Sequence, residues 1–596
     1  MTAAPTAPGQ VYAVRLAARR EALARRERHS GWVSNARLAV ALTLVPLAWA
    51  VWGGPHLGGG WLLAPLGPFL ALVLFHGSVI RGIERARAAV VFHEQALARL
   101  GGKAIGPEGA RFLDEGHPYA ADLDLFGAGS LFSLLCTAQT QVGEDVLAAW
   151  LLAPAGAAEV RSRQQAVREL APAVDLREEL ALLGADVRVV GGREALERWA
   201  VSARALPATP WLPAALIGLS TFMAATAAGW ALGAFGPLPF LVALSGVLLV
   251  SRGLRSAVQV TLGAVEGPSR ELAVLARLTA RFAREPLASE ALVSLRAAMT
   301  ADGLDAADRI AALDRLLAWA EARHNQLFAP IAFLLCWGPL LAWLVERWRA
   351  RCGPHVARWL ASVGALEALV SFATYAFDHP DDAFPEIAEG PARFEATGLT
   401  HPLLPADRAV RNDLALGAPL RLVLVSGSNM SGKSTLLRSV GTGAVMALAG
   451  CPVRAHALRL SCLQVGASLR ARDSLQEGSS RFYAEIRRLS QIAALAEKGP
   501  LLFLLDEILA GTNSHDRREG AGAVLAALVS RGAVGLVTSH DLALAEIVPR
   551  LGERAANMHF VDHLEAGRLA FDYRLRPGLV QKSNAVELMR AVGLPV

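Results

Sequence analysis

The chain has 596 residues, 53% hydrophobic and 19% charged, with a formal net charge of +6. One core rarely grows past about 250–300 residues, and an ordinary domain is about 25% charged, so a single domain and a wholly soluble or disordered chain are both excluded. Five cysteines without a CxxC pair exclude a disulfide framework or a zinc ribbon and fit a reducing compartment.

Residues 1–37 hold seven arginines (Arg15, Arg19, Arg20, Arg25, Arg26, Arg28, Arg37) against Glu21 and Glu27. Most of the net positive charge therefore precedes the first apolar run. It reads as a topology signal rather than a nucleic-acid face. Two uncharged apolar runs follow, 38–53 and 61–80, joined by a link containing Gly58, Gly59 and Gly60. At about 1.5 Å per residue, twenty helical residues match the roughly 30 Å of a bilayer core. With Arg81, Arg85 and Arg87 behind them, the positive-inside rule predicts a transmembrane hairpin with cytoplasmic ends.

Residues 81–208 carry Leu and Ala at helical spacing among Arg and Glu. A second uncharged pair, 211–233 and 236–251, is split by Gly233, Gly236 and Pro237 and flanked by Arg204, Arg252 and Arg255. It predicts a second hairpin of the same sense, with only the loops near 54–60 and 233–236 outside. Helical periodicity resumes over 252–326. A fifth apolar run, 327–345, would carry everything behind it across the membrane if it spanned, so it is read as a buried or interfacial helix. That helix is expected to break near Gly338 and Pro339, with a re-entrant segment as the alternative.

From about 417 short β-type runs alternate with helical stretches, as in a parallel α/β domain. An apolar strand, 420–426, leads into Gly427-Ser428-Asn429-Met430-Ser431-Gly432-Lys433-Ser434-Thr435 and then a helix. This is GxxxxGK[ST] between strand and helix, where backbone N–H groups and a helix N-terminus cradle phosphate. Lys433, one of only four lysines, is expected to reach the β- and γ-phosphates of ATP, and the Ser434 hydroxyl to ligate Mg²⁺. A second apolar strand, 501–505, delivers Asp506 and Glu507: Asp506 for the Mg²⁺ shell, Glu507 to orient or deprotonate water. A third, 534–538, leads to Ser539-His540-Asp541, where His540 can contact the γ-phosphate. His559 and His563 are read as structural, since four residues of one strand span about 13 Å and cannot share an ion.

These motifs resemble the MutS family of DNA mismatch-repair ATPases. The resemblance rests on GSNMSGKST (427–435), LLFLLDEILAGTNSHD (501–516), TSHD (538–541) and GSSRFYAEI (478–486). It extends to His401-Pro402-Leu403-Leu404 and Asn412-Asp413. Residues 122–170, with a turn near Thr140 and Gly143 and a helix end at Trp150-Leu151 and Pro154, resemble the family's helical core, as do residues 355–380. The resemblance implies that Ser480 reaches the γ-phosphate held by a second copy, so that a homodimer carries two composite ATP sites with Glu507, His540 and Ser480 as catalytic groups. It also implies DNA as a partner.

The chain departs from the family pattern at its ends. No mismatch-recognition or connector domain is read before the core, and the family's C-terminal tail is missing after Val596. Phe92-His93-Glu94 matches a mismatch-probing F-x-E only by coincidence, since it falls in a helical stretch. The expected fold is α+β and multidomain: transmembrane helical hairpins, an all-α core and lever domain, and a C-terminal ABC-like P-loop α/β ATPase domain. Its expected parts are a basic segment 1–37, hairpin 38–80, core 81–208, hairpin 211–251 at the lever-tip position, lever and core helices 252–400, and the ATPase domain 401–596. The expected protein is a multi-pass component of a bacterial-type inner membrane, with lipid as a partner, no metal cluster, and its ATPase domain cytoplasmic. Two functions are open to it: a DNA-acting, mismatch-repair-like ATPase, and a mechanochemical ATPase acting on a membrane or protein partner.

Overall fold

A computed structural model describes residues 7–52, 59–184, 193–206, 209–266, 269–300, 303–322, 328–405, 407–428, 430–469, 481–509, 514–540, 542–565 and 568–579. The chain divides into two compact units, Met1–Ile105 with Val174–Ala185, and Gly106–Ala173 with Asp186–Val596.

In the first unit, α1 (Pro8–Leu42) runs on through α2 (Leu44–Trp52), and α3 (Leu66–Leu100) packs along α1. The basic segment is thus helical, beginning at Pro8, which suits a first turn because its missing N–H needs no acceptor there. Its arginines are partly neutralised within the unit. Arg19 Nε lies 2.7 Å from Glu178 on α7 (Val174–Gly184), Arg20 pairs with Glu94 at 2.7 Å, and Arg87 pairs with Glu27 at 3.1 Å. His93, fully buried, lies 3.3 Å from the same Glu178. Phe92-His93-Glu94 is therefore a helical packing and pairing segment, in keeping with a coincidental match.

The second unit opens with α4 (Leu131–Leu135), α5 (Gln141–Leu152) and α6 (Ala157–Leu170). Thr140 caps α5, its hydroxyl accepting from the Gly143 N–H at 3.2 Å, so the small-residue turn read in the sequence is a helix start. A Cβ at Gly143 would lie 2.3 Å from the Glu367 carboxylate, which explains the glycine at this crossing. There follow α8 (Arg193–Val201), α9 (Leu212–Ala231), α10 (Leu238–Gly253), α11 (Arg255–Glu266), α12 (Ser269–Ala283), α13 (Glu290–Thr300), α14 (Ala306–Ala322), α15 (Ala329–Leu334) and α16 (Trp337–Asp378).

Four helical segments among the described residues are long and apolar enough to cross a membrane: Pro8–Trp52, Gly60–Leu100, Leu212–Ala231 and Trp337–Asp378. In the last, 78% of the apolar window is buried within the protein, against at most 22% in the others. Most of α16 is therefore the hydrophobic axis of the helical region, against which α5, α6, α8, α13 and α14 pack. The break in run 327–345 falls at Leu335–Cys336, not near Gly338 and Pro339. Cys336 adopts the left-handed conformation (φ 48°) and caps α16. Pro339 sits in the first turn, where a helix tolerates it.

The rest of the unit is α/β. One sheet, in the order β1 (Glu386–Ala388), β5 (Ala457–Ser461), β2 (Phe394–Leu399), β3 (Asn412–Leu416), covers the site edge. The central sheet runs β12 (Arg576–Pro577), β9 (Ala555–His559), β4 (Leu422–Ser426), β8 (Val534–Ser539), β7 (Leu501–Asp506), β6 (Gln464–Ser468), parallel except at β12. A small hairpin pairs β10 (Asp562–Glu565) with β11 (Arg568–Phe571). His559 and His563 thus belong to two different strands rather than one. Helices α17 (Lys433–Ala449), α18 (Arg481–Lys498), α19 (Ser514–Ser530) and α20 (Ile547–Leu551) complete the region. Its central strands β4, β7 and β8 are buried on both faces, as near-continuous apolar runs in parallel sheets require.

Candidate active site

Strand β4 is fully buried and ends at Ser426, and the chain then turns through Gly427 (φ 155°), Met430 (φ 71°) and Gly432 (φ 102°) into α17. A Cβ on Gly427 would lie 2.8 Å from the Ser431 hydroxyl, so the tight turn needs glycine there. The Lys433 ammonium donates to the carbonyl oxygens of Gly427 and Ser428, both at 2.7 Å, and so lies across the loop it follows. Burial pushes this ammonium below its ordinary range, while the nearby Asp506 and Glu507 carboxylates act in the opposite direction. The Ser428 and Ser431 hydroxyls are buried without a protein partner. Unsatisfied buried donors around a cationic loop at a helix N-terminus suit a polyphosphate.

The sheet order brings the acids to this loop. Strand β8 lies between β4 and β7, and the Thr538 side chain at its end reaches sideways to the end of β7. Its hydroxyl donates to Asp506 Oδ1 and accepts from the Glu507 N–H at 3.2 Å. The other Asp506 oxygen accepts from the Ser434 hydroxyl at 2.6 Å. The Ser434–Asp506 pair presents hard oxygen donors, the chemistry Mg²⁺ selects, usually through one or two protein groups with water and phosphate completing the shell. Glu507 has φ 50°, a left-handed conformation that is uncommon for this residue type. Its Oε1 lies 3.4 Å from His540 Nδ1, with both side chains at least partly exposed.

Beside the loop is a cavity of about 850 Å³, within the usual range of roughly 300–1,000 Å³ for small-molecule sites. Lys433, Ser434 and Glu507 line it together with Val410, Phe560 and Tyr573, whose ring lies against Gly432 of the loop. Asn412 fixes Tyr573: its side-chain N–H donates to the Tyr573 carbonyl at 3.0 Å, and its oxygen accepts from the Leu575 N–H at 2.7 Å. A lining that combines cationic and hydroxyl groups with apolar and aromatic ones suits a nucleotide.

The structure thus brings Gly427, Ser428, Met430, Ser431, Gly432, Lys433, Ser434 and Thr435 into one loop and helix start, with Asp506, Glu507 and His540 beside it. Asn429 and Ser480 lie outside the described residues. Three contributors were not assigned roles from the sequence: Thr538, Tyr573 and Glu485. The Glu485 carboxylate accepts from the Leu509 N–H and so ties the start of α18 to the turn after Glu507. Thr538 could have been found from its place at the end of an apolar strand. Tyr573 carries no comparable local signal.

Two arginines join this site to the helical region. Arg438 on α17 lies 3.2 Å from Asp124. Arg488 on α18 is buried and donates to the carbonyls of His117 at 2.7 Å and Glu115 at 2.9 Å, with the buried Asp122 at 3.8 Å. Asp122 in turn accepts from the Leu469 N–H at 2.8 Å, at the end of β6.

Residues 423–596 match the family model described as MutS domain V. Endonuclease MutS2 of Anaeromyxobacter sp. is 37% identical over 256 residues, 40% of this chain and 31% of that protein. Endonuclease MutS2 of Thermus thermophilus is 36% identical over 205 residues, covering 34% and 27%. DNA mismatch repair protein MutS of Thermus aquaticus is 37% identical over 188 residues, covering 31% and 22%. The chain spans less than a third of the length of these curated relatives. The C-terminal region, with its loop, acids and nucleotide-sized cavity, matches MutS domain V, and over that part the chain is similar to MutS and MutS2 proteins.

Proposed function

We propose that the protein is a membrane-attached ATPase of the MutS type, in which ATP binding and hydrolysis at paired sites move the helical region. The carrying observation is the continuous chain Ser434–Asp506–Thr538–Glu507–His540 beside the Lys433 loop. Lys433 and the loop N–H groups bind the phosphates and hold the γ-phosphorus in line for attack. Glu507 orients a water and takes its proton as the oxygen–phosphorus bond forms. The bond from the γ-phosphorus to the bridging oxygen breaks, giving ADP and inorganic phosphate. His540, against the Glu507 carboxylate, keeps that carboxylate aimed and can hydrogen-bond the departing phosphate. Ser434 and Asp506 would hold Mg²⁺, which would supply charge neutralisation for the phosphates.

The composite site rests on the resemblance of 478–486 to the family's signature segment, which makes Ser480 the group offered to a second copy. The contact from Glu485 to Leu509 supports it, because it couples the start of the helix after Ser480 to the turn that carries Glu507. Membrane attachment rests on the uncharged hairpins at 38–80 and 211–251, whose apolar side chains include Trp49, Trp52, Leu232 and Leu249 at 72–85% exposure. With arginines at the ends of both hairpins, the ATPase region lies on the cytoplasmic face of a bacterial-type inner membrane. Action on DNA is the second reading, favoured by the names of the relatives. A salt-dependent DNA-binding assay separates the two, since phosphate contacts give a steep fall of affinity with salt.

The test of the paired sites uses two variants, Lys433→Ala and Ser480→Arg. Each alone is expected to be inactive. Mixed dimers carry one doubly damaged and one intact site, so partial ATPase activity returns. An inactive parental chain overturns the ATPase reading. Lack of recovery, in a preparation where mixed dimers are shown to form, overturns the shared site.

A further inference from the structure

The hairpin α9–α10 carries no charged residue from 211 to 251. Its far end is an exposed apolar surface: Trp230 48%, Leu232 85%, Phe235 43%, Leu238 71% and Val242 59%. Its near end is different. There Leu212, Leu216, Met223, Ala243 and Val247 form a core with Cys336, at the break between α15 and α16.

Two contacts fix heights along this assembly. Cys336 shares a buried apolar cluster with Leu216 and Met223 of α9, which lie on either side of Ser220. One residue later, the Trp337 indole N–H donates to the Trp319 carbonyl of α14 at 2.9 Å. The last turn of α14 therefore reaches the height along α16 that Ser220 marks on α9. At that height α14 bears exposed ionisable groups on either side of Trp319, Arg315 and Glu321. A shelf of aromatic and apolar groups surrounds them. The Trp319 and Trp337 rings are 6.2 Å apart, Phe328 meets Trp337 edge-on at 5.8 Å, and Ile331 and Phe333 on α15 are 51% and 39% exposed.

Ionised side chains are strongly disfavoured in hydrocarbon, whereas Trp beside polar groups is the composition of a membrane interface. Full crossing would set Trp211 and Trp230 at opposite interfaces and draw Glu321 and Arg315 into the bilayer. With the interface at Glu321 instead, the span from Ser220 to Ala231 is left for insertion, about 17 Å at 1.5 Å per residue. That matches one leaflet, half of a roughly 30 Å core. Ile217, Leu248 and Leu249 then fall just below the shelf, at the headgroups.

We propose that α9–α10 is a one-leaflet anchor. Its tip, residues 232–237, ends near the bilayer midplane, and the Trp319–Phe328–Ile331–Phe333–Trp337 shelf rests on the lipid surface. The occupant of this apolar face is a phospholipid bilayer, and the proposal rests on the membrane reading above. Because the hairpin enters and leaves through one face, the shelf holds the end of α16 at a fixed height, and α16 runs from there to the ATPase strands.

The test uses the full chain in phosphatidylcholine–phosphatidylglycerol vesicles. A bimane is placed at Ala234→Cys in one variant and at Ile217→Cys in a second, each on a Cys462→Ser background that leaves only buried native cysteines. Bimane at 234 should be quenched severalfold more by deeply brominated lipid than by shallow, and bimane at 217 the reverse. An impermeant maleimide should label Ala234→Cys neither from outside nor after alamethicin opens the vesicles, but only after detergent. Labelling from the lumen side after alamethicin shows a full crossing and overturns the one-leaflet anchor while leaving membrane attachment intact. Lack of quenching at both sites, with protein that does not float with the vesicles, overturns both.

Discussion

Residues 501–505 and 238–249 are both uncharged, Leu-rich runs, yet opposite in what covers them. In β7, Leu501, Leu502, Phe503, Leu504 and Leu505 are at most 1% exposed, flanked by β6 and β8 and covered by helices. In α10, Leu238, Leu241, Val242, Leu248 and Leu249 are 49–72% exposed. One apolar run is satisfied by its own chain and the other only by something outside it. The same contrast separates α16 from α9, 78% against 22% buried over their apolar windows. Hydropathy reports the need for cover, and only packing reports its source.

The sharpest way to break this comparison is to truncate one side chain from each run. Phe503→Ala should destabilise the ATPase region by about 3–5 kcal/mol in chemical denaturation, because the cavity cannot collapse between paired strands. Leu249→Ala should stay within about 0.5 kcal/mol of the parent in detergent micelles, as a surface change does. Equal losses would mean that α10 has a protein partner. Next in size, Lys433→Ala should weaken ATP binding about a hundredfold, roughly 3 kcal/mol, by removing the charged donor that the loop encloses. Equilibrium titration with a fluorescent ATP analogue measures this.

A third expectation concerns pH. Burial, followed by the nearby Arg438, pushes the His401 imidazole down to about 4, and the Leu403 N–H donates to its Nδ1 at 3.2 Å. The folded state holds this ring neutral, while the unfolded chain protonates it near pH 6.5. Stability from this group is complete above about pH 6.5 and is lost as pH falls toward 4. The loss should be about 2–3 kcal/mol at pH 4.5, and His401→Gln should flatten the profile over that window. The smallest expected effect is at the junction. Arg488→Met should cost about 2 kcal/mol by stranding the carbonyls of Glu115 and His117, while leaving ATP affinity unchanged.

Much of the site was legible because its motifs are local. A strand, a glycine loop, a lysine and a helix are consecutive in sequence, and Asp506-Glu507 and Ser539-His540 each follow their own apolar strand. What brings them together is the order β4–β8–β7, which no single stretch encodes. Thr538 and Glu485 act through that order, and Tyr573 reaches the cavity from beyond β11, so their roles emerge only from the fold. In the helical part, the hairpin at 211–251 was plain from its lack of charge. The break at Cys336 was not, because Gly338 and Pro339 are stronger local signals and both fit a helical first turn. The arginines of α1 were read as topology markers, yet Arg19 and Arg20 also have carboxylate partners on α7 and α3, which linear charge counting cannot show.

The central claim is that Glu507 activates water at a site where the phosphates are held independently of it. The direct measurement is phosphate release by the full chain in lipid vesicles, compared between the parent and Glu507→Gln at matched ATP occupancy. The account predicts unchanged ATP binding with turnover lowered about 10²–10⁴-fold, the usual contribution of a general base. Turnover at the parental rate in Glu507→Gln would contradict it.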